Sequence, residues 1–511
     1  MSNLFKVLDC TLRDGGYYTN WDFSKNIVSN YIKAMDELPI DFIEIGYRNV
    51  FKKDYYGEFF YTPINTIDDI KKITNKSLVL IINERELSVS EINSLLTPCL
   101  NKISLIRLAV DPVNLSKAIL KAKHIKSMGF DVAFNVMYLS EWIEDEQFLS
   151  NLKGIENDID YLYLVDSYGG VLPNQITCVI NKIKTITNVK LGFHGHNNLE
   201  LALANTLASI DAGVNIVDST VMGMGRGAGN LKTELLIPLI FKNSNIDFNT
   251  FPATLEDFGE LQKKYNWGTN LPYILAGTHS IPQKQIMNWV LKGFYSFNTI
   301  VNALNSKIYN KREIKYQILN KNHNYERSLI IGGGETVLNH LEAIKIYLKS
   351  FKATLIIFSS SRYLKYFEEY LDRSITCLVG NENERLNMIN DNINFDEIKF
   401  ILPPSPREMG AFIPNGFNKN TFELSNSEFL NKSIISHCSV SIETSLSIGI
   451  KNIFLTGFDG YQGKEIQSKE MEIFRENDQI FHEAKNNGAK LISITPTTYK
   501  NINTKSIYSL I

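Results

Sequence analysis

The stretch LGFHGHNN, residues 191–198, joins a short apolar run to two histidines and two asparagines. Side chains two positions apart on a strand point to the same side, so His194 and His196 can be directed at one point. Two imidazoles at this spacing suit a divalent ion, although two histidines on a polar strand end give the same pattern. The stretch therefore predicts a strand that ends at a metal site.

Three further stretches bring polar groups to the end of an apolar run. They are DCTLRDGG at residues 9–16, VDS at residues 165–167 and GMGRGAGN at residues 223–230. These polar groups follow several different strands, and the carboxyl ends of all strands converge on one site in a (β/α)8 barrel. A doubly wound sheet, the structural alternative, would instead collect them at one reversal of strand order. The pattern favours the barrel.

Eight apolar, β-branched runs recur through the first half of the chain, and most are separated by amphipathic stretches long enough for a helix. The runs are Lys6–Leu12, Phe42–Tyr47, Leu78–Ile82, Leu105–Val110, Val132–Tyr138, Tyr161–Val165, Lys190–Phe193 and Ile216–Ser219. We predict that they form the strands of a TIM barrel that occupies residues 1–250.

Beyond residue 250 the pattern changes twice. Residues 251–325 are predicted to be a helical extension that ends in a polar linker, within the run 305–327. Residues 326–511 are predicted to be a Rossmann-like α/β domain, because six more apolar runs alternate there with helical stretches. The runs are Ser328–Ile331, Ala353–Phe358, Thr376–Val379, Lys399–Leu402, Asn452–Thr456 and Lys490–Ile494.

Three consecutive glycines, Gly332, Gly333 and Gly334, end the first of these later runs. Such a turn can bring backbone N–H groups close to a phosphate at the start of a helix. Glycines also permit a tight turn that binds no ligand, and the sequence is not G-x-G-x-x-G. Phosphate binding by these residues is one of the two interpretations that remain open.

The composition is that of a soluble globular protein of two or three domains. The 511 residues are 44% hydrophobic and 21% charged, and the net charge of −2 gives no reason to expect nucleic acid or a membrane surface as a partner. No apolar run reaches the roughly 18 residues of a membrane span. Five scattered cysteines without a C-x-x-C pair predict reduced thiols and a cytoplasmic location. A homo-oligomer is left open.

Residues 5–295 resemble the DRE-TIM metallolyases, the HMG-CoA lyase-like family that includes isopropylmalate synthase and 4-hydroxy-2-oxovalerate aldolase. The resemblance lies in residues 9–16, 194–198 and 223–230, which occur in that order. The motif HGHNNL and the later Val-Asp-Ser look most like the aldolase branch. Claisen-type synthases usually carry Asp where Asn198 stands, and a glutamine soon after Arg-Asp-Gly, where this sequence has Gly16-Tyr17.

The resemblance implies that Asp14, His194 and His196 bind a divalent metal, with Asn230 as a further ligand. One carboxylate, two imidazoles and an amide oxygen suit Mn²⁺, the expected ion, and also Mg²⁺ or Co²⁺. Such a site leaves positions for the ketone and carboxylate oxygens of a 2-oxo acid. Arg13 is implied to be a second electrophile that stabilises the enolate oxygen.

The catalytic base departs from the family pattern. Hydroxy-oxo-acid aldolases of this family carry a histidine three residues after the metal-binding Asp, and here that position is Tyr17. A phenol has an ordinary pKa near 10, so it is a poor base without help from its surroundings. Tyr17 is therefore the predicted catalytic group, with Tyr18, His279 or water as alternative routes for the proton.

Four more residues at predicted strand ends are candidates for the site. Asp166 is assigned a catalytic role by its position in the family, and a helix cap is the alternative. Glu44 and Arg48 are predicted to bind substrate or to pair with each other. Arg107 is predicted to hold a carboxylate or phosphate of the substrate.

The predicted function is a divalent-metal-dependent aldolase that makes or breaks a carbon–carbon bond next to a 2-oxo acid such as pyruvate. The C-terminal domain would bind a phosphorylated or nucleotide-linked substrate, or act as a second enzyme on the product. Two alternatives are kept: an acetyl-CoA-dependent, Claisen-type acyltransferase and a non-catalytic scaffold that binds a sugar or nucleotide.

Overall fold

Eight parallel strands close into a barrel in the first half of the chain, in the order in which they occur in the sequence. The strands are β1 Lys6–Asp9, β2 Phe42–Tyr47, β3 Ser77–Asn83, β4 Leu105–Val110, β5 Asp131–Val136, β6 Tyr161–Asp166, β7 Lys190–Gly195 and β8 Ile216–Ser219. This confirms the predicted TIM barrel. A computed structural model of the protein describes residues 5–292, 295–309, 314–321, 324–380, 382–389, 395–405, 407, 413, 420–461 and 468–511.

Helices follow the barrel strands. They are α1 Thr11–Thr19, α2 Lys25–Glu37, α3 Glu58–Tyr61, α4 Ile64–Lys71, α5 Val89–Leu96, α6 Leu115–Ser127, α7 Leu139–Trp142, α8 Glu146–Ser150, α9 Pro173–Lys184, α10 Ala202–Asp211, α11 Thr233–Ile240, α12 Phe251–Tyr265, α13 Leu271–Thr278 and α14 Gln283–Lys292. Their apolar faces cover the barrel, and among the described helices none has the length and hydropathy of a membrane span.

The first predicted run, residues 6–12, is strand only as far as Asp9, and the prediction of a strand for residues 10–12 is wrong. The Asp9 carboxylate accepts the backbone N–H of Thr11 at 2.9 Å, and this bond turns the chain into α1. The helix starts immediately above the barrel because an acceptor at this point satisfies a free N–H group of its first turn. Arg13 and Asp14 therefore lie on the first turns of α1.

Residues 292–511 form a second compact unit, and residues 1–291 form the first. The second unit begins with α15 Phe297–Ile308 and carries α16 Thr336–Asn339, α17 Leu341–Ser350, α18 Glu382–Ile389, α19 Glu428–Lys432, α20 His437–Ile448 and α21 Ser468–Asn486. Its strands are β9 Gln317–Ile318, β10 Arg327–Ile331, β11 Thr354–Phe358, β12 Ser374–Cys377, β13 Lys399–Leu402, β14 Thr421–Glu423, β15 Asn452–Thr456, β16 Lys490–Ser493 and β17 Asn503–Thr504. The predicted helical extension is divided between the two units.

All nine strands of the second unit are parallel, in the order β17-β16-β15-β10-β11-β12-β13-β14-β9. The chain runs outward from β10 on one side and returns to pair β15 with its other side, so the strand order reverses next to β10. The central strands are buried along their length, as expected for a parallel sheet covered on both faces. The prediction of a parallel α/β unit is confirmed.

The predicted polar linker is partly regular structure. Helix α15 extends to Ile308, and β9 pairs with β14 at the edge of the sheet. Residues 310–313 and 322–323 of the same run lie outside the described residues.

Candidate metal centre and active site

Asp14, His194 and His196 meet above the carboxyl ends of the barrel strands. Asp14 comes from α1, His194 lies on β7, and His196 follows that strand directly. The potential ligand atoms of the three residues lie within 4.8 Å of one another, and all three residues are buried. His194 Nε2 is 3.4 Å from Asp14 Oδ2. The three residues that the sequence assigned to the metal are therefore brought together.

Both histidines are held by a hydrogen bond at Nδ1. His194 Nδ1 is 2.8 Å from Asp218 Oδ2. His196 Nδ1 is 3.0 Å from the backbone carbonyl oxygen of Asp166. When these nitrogens donate, Nε2 of each ring is left as the lone-pair nitrogen, which is the arrangement of most metal-binding histidines. Burial lowers the pKa of His196 well below its ordinary value, so the ring is neutral, as a metal ligand must be.

Asn230 completes the cluster from the loop after β8. Its Nδ2 donates to Asp14 Oδ2 at 2.6 Å, and its Oδ1 is buried without a hydrogen-bond partner. A Cβ on Gly225 would lie 2.5 Å from Asn230 Nδ2, so the glycine lets the loop pass close to the amide. His196 Nε2 is likewise buried without a partner. One buried nitrogen and one buried oxygen without hydrogen-bond partners thus lie beside the Asp14 carboxylate. Nitrogen and oxygen ligands of this kind fit a Mn²⁺, Mg²⁺ or Co²⁺ ion.

Arg13 lies beside the cluster with its orientation fixed. Its Nε donates to Glu44 Oε2 at 2.7 Å, and its Nη1 pairs with Asp14 Oδ1. The indole N–H of Trp21 donates to the Arg13 carbonyl oxygen at 2.8 Å. Burial would raise the pKa of Asp14, but Arg13 and His194 outweigh it and hold this pKa well below its ordinary value. Asp14 is therefore an ionised carboxylate at neutral pH.

Arg107 lies beneath the cluster and differs from the substrate-binding role predicted for it. It is 0% exposed, so its guanidinium is enclosed in the barrel. Its Nη2 donates to Asp218 Oδ2 at 2.6 Å, and its Nη1 is 3.4 Å from Glu44 Oε2. Arg107 therefore connects the carboxylate that holds His194 with the carboxylate that holds Arg13. Glu44 has the same internal role and does not pair with Arg48.

The side chains of Arg48 and Asp166 are also hydrogen-bonded to the backbone, and a cap was the alternative to a catalytic role for Asp166. Arg48 Nε donates to the carbonyl oxygen of Leu95 at 3.0 Å, and its Nη1 donates to those of Tyr61 and Thr62. These bonds favour loop anchoring over substrate binding. The Asp166 carboxylate accepts the N–H groups of Gly170 and Val171 at 3.1 and 3.3 Å, so it caps the turn after β6.

The barrel that carries this site is similar to known proteins. A family model described as HMGL-like matches residues 102–256, a span that contains both histidines and Asn230. A crystal structure of the N-terminal domain of a candidate aldolase from Bacteroides vulgatus is 48% identical, with a TM-score of 0.55 over 58% of this chain and 100% of that chain. The barrel belongs to the HMGL-like family.

Curated relatives of this HMGL-like barrel have lower identity. A 4-hydroxy-2-oxovalerate aldolase from Geobacillus thermodenitrificans is 28% identical over 240 residues, which are 46% of this chain and 68% of that protein. An oxaloacetate decarboxylase from Mycobacterium tuberculosis is 26% identical over 251 residues, 47% of this chain and 71% of that protein.

A second polar cluster borders the metal centre of the HMGL-like barrel. The hydroxyl oxygens of Tyr17 and Tyr47 are 2.9 Å apart. The guanidinium carbon of Arg226 lies 4.7 Å from the centre of the Tyr17 ring. Sequence reasoning did not single out Arg226 or Tyr47. The signal for Arg226 was a charged residue inside an otherwise small-residue loop, GMGRGAGN.

The two alternative proton carriers lie elsewhere. The Tyr18 hydroxyl donates to the carbonyl oxygen of Gly227 at 3.1 Å, so it supports the loop that carries Arg226. His279 is exposed at the end of α13. Tyr17 is thus the member of the predicted set that borders the cluster.

The glycine turn of the second unit uses two of its N–H groups within the protein, which favours the interpretation of a tight turn over that of a phosphate cradle. The N–H groups of Gly332 and Gly334 donate to the carbonyl oxygens of Thr456 and Gly457 at 2.8 and 2.9 Å. The Asp459 carboxylate accepts the N–H of Thr336 at 3.0 Å, where an anion at the start of α16 would bind. A Cβ on Gly334 would lie 2.5 Å from this carboxylate. The glycines therefore permit a close approach of the two turns that follow β10 and β15.

A cavity of about 1030 Å³ nevertheless opens in the second unit beside this turn, where the strand order reverses. It is lined by Arg362, Arg385 and His437, the last at the start of α20. Acidic residues that include Glu382 and Asp459 also line it. Open α/β sheets bind ligands at such a reversal.

Proposed function

We propose that the HMGL-like barrel is a divalent-metal-dependent carbon–carbon lyase that acts next to the ketone of a 2-oxo acid. The observation that carries this proposal is the cluster of Asp14, His194 and His196, whose ligand atoms converge beside a fixed Arg13. The names of the relatives support the substrate class, because oxaloacetate and 4-hydroxy-2-oxovalerate are both 2-oxo acids. Pyruvate is the proposed 2-oxo acid and Mn²⁺ the proposed ion.

Four residues would hold the ion: Asp14, His194, His196 and Asn230. When bound, a divalent ion polarises a ketone and neutralises part of the charge on an enolate. Arg13 adds a second positive group that is already oriented by Glu44, so little reorganisation is needed as charge develops. Asp218 and the Asp166 carbonyl keep both imidazoles in the orientation that ligation needs.

Tyr17 is assigned the uptake of the proton that leaves the substrate. In the cleavage direction the bond between C3 and C4 breaks, its electron pair passes to the 2-oxo acid as an enolate, and the C4 hydroxyl proton leaves. As it accepts this proton, the Tyr17 hydroxyl would pass its own proton along the 2.9 Å hydrogen bond to Tyr47 and on to solvent, so that neither phenol gains a net proton. The enolate then takes a proton at C3 to give the free 2-oxo acid.

The test is a screen of aldehydes and aldoses with pyruvate and Mn²⁺, read by mass spectrometry, together with oxaloacetate decarboxylation. We expect a new carbon–carbon bond with at least one aldehyde, and its loss on chelation and in His196→Ala. His279→Ala is the matched control, since that histidine is exposed at the end of α13. Release of thiol from acetyl-CoA would identify the acyltransferase instead, and ligand binding that is unaffected by metal removal would identify the scaffold.

For the second unit we propose that the cavity beside β10 is the ligand site of a Rossmann-like domain. Arg362, Arg385 and the start of α20 would face a phosphate of a phosphorylated or nucleotide-linked ligand, in place of the glycine turn. Titration calorimetry with a panel of nucleotides and sugar phosphates tests this on the full chain. Loss of binding in Arg385→Gln, with Arg327→Gln as control at the start of β10, is the expected result.

A further inference from the structure

Arg13, Arg107 and Arg226 lie around the candidate metal centre, and Arg226 differs from the other two. Arg13 pairs with Asp14 and Glu44, and Arg107 pairs with Asp218 and Glu44. Arg226 makes no side-chain hydrogen bond or ion pair with any residue in the described part of the chain. Its Nε is buried without a partner, and its neighbour is the ring of Tyr17.

The Arg226 side chain is partly exposed, and the burial of its Nε without a hydrogen-bond partner is unfavourable. The stack on Tyr17 is a cation–π contact, which leaves the N–H groups of Arg226 available. Arg226 also lies four residues before the proposed ligand Asn230, in the same loop. The N–H groups of Arg226, which no described residue takes up, are therefore open to a ligand in the site.

The loop that carries Arg226 is fixed before any ligand binds. The backbone N–H of Gly229 donates to the Arg226 carbonyl oxygen at 3.0 Å, and the Tyr18 hydroxyl donates to that of Gly227 at 3.1 Å. The N–H of Ala228 donates to Asn198 Oδ1 at 3.0 Å. A charged side chain on a loop held in this way starts from a preorganised backbone.

The charges around the site point to the same conclusion. The three carboxylates of Asp14, Glu44 and Asp218 pair with Arg13 and Arg107, and with Arg226 the three arginines balance their charge without a ligand. A divalent ion adds two positive charges, and the carboxylate of a 2-oxo acid neutralises one of them. One positive charge then remains, and Arg226 is the arginine without a protein partner.

We propose that Arg226 binds a second acidic group of the substrate, so that the 2-oxo acid or its aldol product is a dianion. This inference rests on the proposed lyase function and narrows its substrate class. Arg226 is the specificity-determining residue, and its guanidinium would pair with a carboxylate or phosphate oxygen on the side of the site that Tyr17 borders. Arg13 remains the group that faces the enolate oxygen.

The test compares matched pairs of acids that differ only in the second carboxylate. Affinities of 2-oxoglutarate against 2-oxopentanoate, and of 2-oxoadipate against 2-oxohexanoate, are measured by titration calorimetry on the Mn²⁺-loaded full chain. We expect the diacid to bind about 10- to 100-fold more tightly in at least one pair. Arg226→Gln should remove this preference and leave the monoacid affinity within about twofold, because it removes one charge-assisted contact. Arg226→Lys should keep part of the preference.

Arg85→Gln is the matched control, because Arg85 pairs with Asp111 at the surface of the same unit. Exchange of pyruvate methyl protons with solvent is followed in parallel. Equal affinities within both pairs, with exchange intact, would overturn this inference and leave the proposed function standing. Failure to bind any 2-oxo acid, with no exchange of pyruvate protons, would overturn both this inference and the proposed function. A diacid preference that survives in Arg226→Gln would show that Arg226 only stacks on Tyr17.

Discussion

At the scale of single residues, Arg13 links two functions of the site. It contacts Asp14, a proposed metal ligand, and its Nε is held 2.7 Å from Glu44 Oε2. Burial alone would lower the pKa of Arg13, but Asp14 and Glu44 outweigh it and raise this pKa well above its ordinary value. The guanidinium is therefore charged at every working pH, and its direction is set before substrate arrives.

Replacement of Arg13 should separate chemistry from metal binding. Arg13→Ala should lower kcat by about 100- to 1,000-fold, because a preorganised donor to the enolate oxygen is lost. Arg13→Lys should restore little, since an ammonium does not reproduce the guanidinium fork. Metal content should change far less than in Asp14→Asn. Steady-state rates and metal analysis measure both effects, with Arg85→Ala as the surface control, and a fully active Arg13→Ala enzyme would assign this arginine a structural role.

The site residues that could be predicted from the sequence are those that belong to a local sequence pattern. His194 and His196 two apart on a strand, and Asp14 after β1, converge because barrel strands converge. Arg107 had no such pattern, since its partner Asp218 lies 111 positions away. An arginine at a strand end looks the same whether its partner is a substrate or a buried carboxylate. Arg226 was not predicted, because what distinguishes it is that no described residue pairs with its side chain, and sequence does not show this.

At the scale of elements, side chains on three strands form the hydrogen bonds that orient His194. The histidine lies on β7, Asp218 on β8 and Arg107 on β4, and the hydrogen bonds that join them are 2.8 and 2.6 Å long. Burial would raise the pKa of Asp218, but Arg107 and His194 outweigh it and lower this pKa. Asp218 thus stays ionised as an acceptor for both neighbours.

Asp218→Asn should weaken metal binding without removing a proposed ligand. We expect the affinity for Mn²⁺ to fall about 10- to 100-fold, because the partner that fixes the imidazole has lost its charge. Titration of metal-stripped protein with Mn²⁺, followed by electron paramagnetic resonance, measures this directly. Asp131→Asn, at the opposite end of the barrel on β5, is the control. An unchanged Mn²⁺ affinity in Asp218→Asn would show that His194 needs no such support.

Element type was more predictable than element ends. The eight apolar runs identified the eight barrel strands, because a strand covered on both faces must be apolar along its length. Their ends depend on hydrogen bonds that a propensity pattern does not contain, as at Asp9 and Thr11. In the second unit the six predicted runs are strands, whereas β9 and β17 have two residues each and lie at the sheet edges. Edge strands this short leave no apolar run to detect.

At the scale of the whole molecule, the stability of each unit can be measured separately. All four tryptophans, at positions 21, 142, 267 and 289, lie in the first unit. In the second unit, Glu382 is the buried acid at the start of α18. It accepts the N–H of Ser361 and a bond from Arg385 Nη1, both at 2.7 Å. Burial would raise the pKa of Glu382, but His437 and Arg385 outweigh it and lower this pKa to about 2.

The lowered pKa makes the second unit acid-sensitive. The unfolded chain takes up a proton at Glu382 near pH 4.5 and the folded chain only near pH 2, so stability is present above pH 4.5 and lost as pH falls toward 2. The loss should reach about 3 kcal/mol in wild type and be absent in Glu382→Gln. Hydrogen exchange of peptides from β10 to β13, corrected for intrinsic rates, measures it. Glu342→Gln, exposed on α17, is the control, and parallel pH profiles for wild type and Glu382→Gln would contradict this account.

The measurement that tests the central claim most directly is deuterium incorporation into pyruvate by protein stripped of metal, read by mass spectrometry. The account predicts that exchange stops on stripping and returns with Mn²⁺ in wild type and in His279→Ala. It predicts no return in His196→Ala, because His196 supplies one of the converging ligand atoms. Exchange at the full rate in metal-free protein, or full recovery in His196→Ala, would show that Asp14, His194 and His196 do not hold a metal ion that the reaction needs.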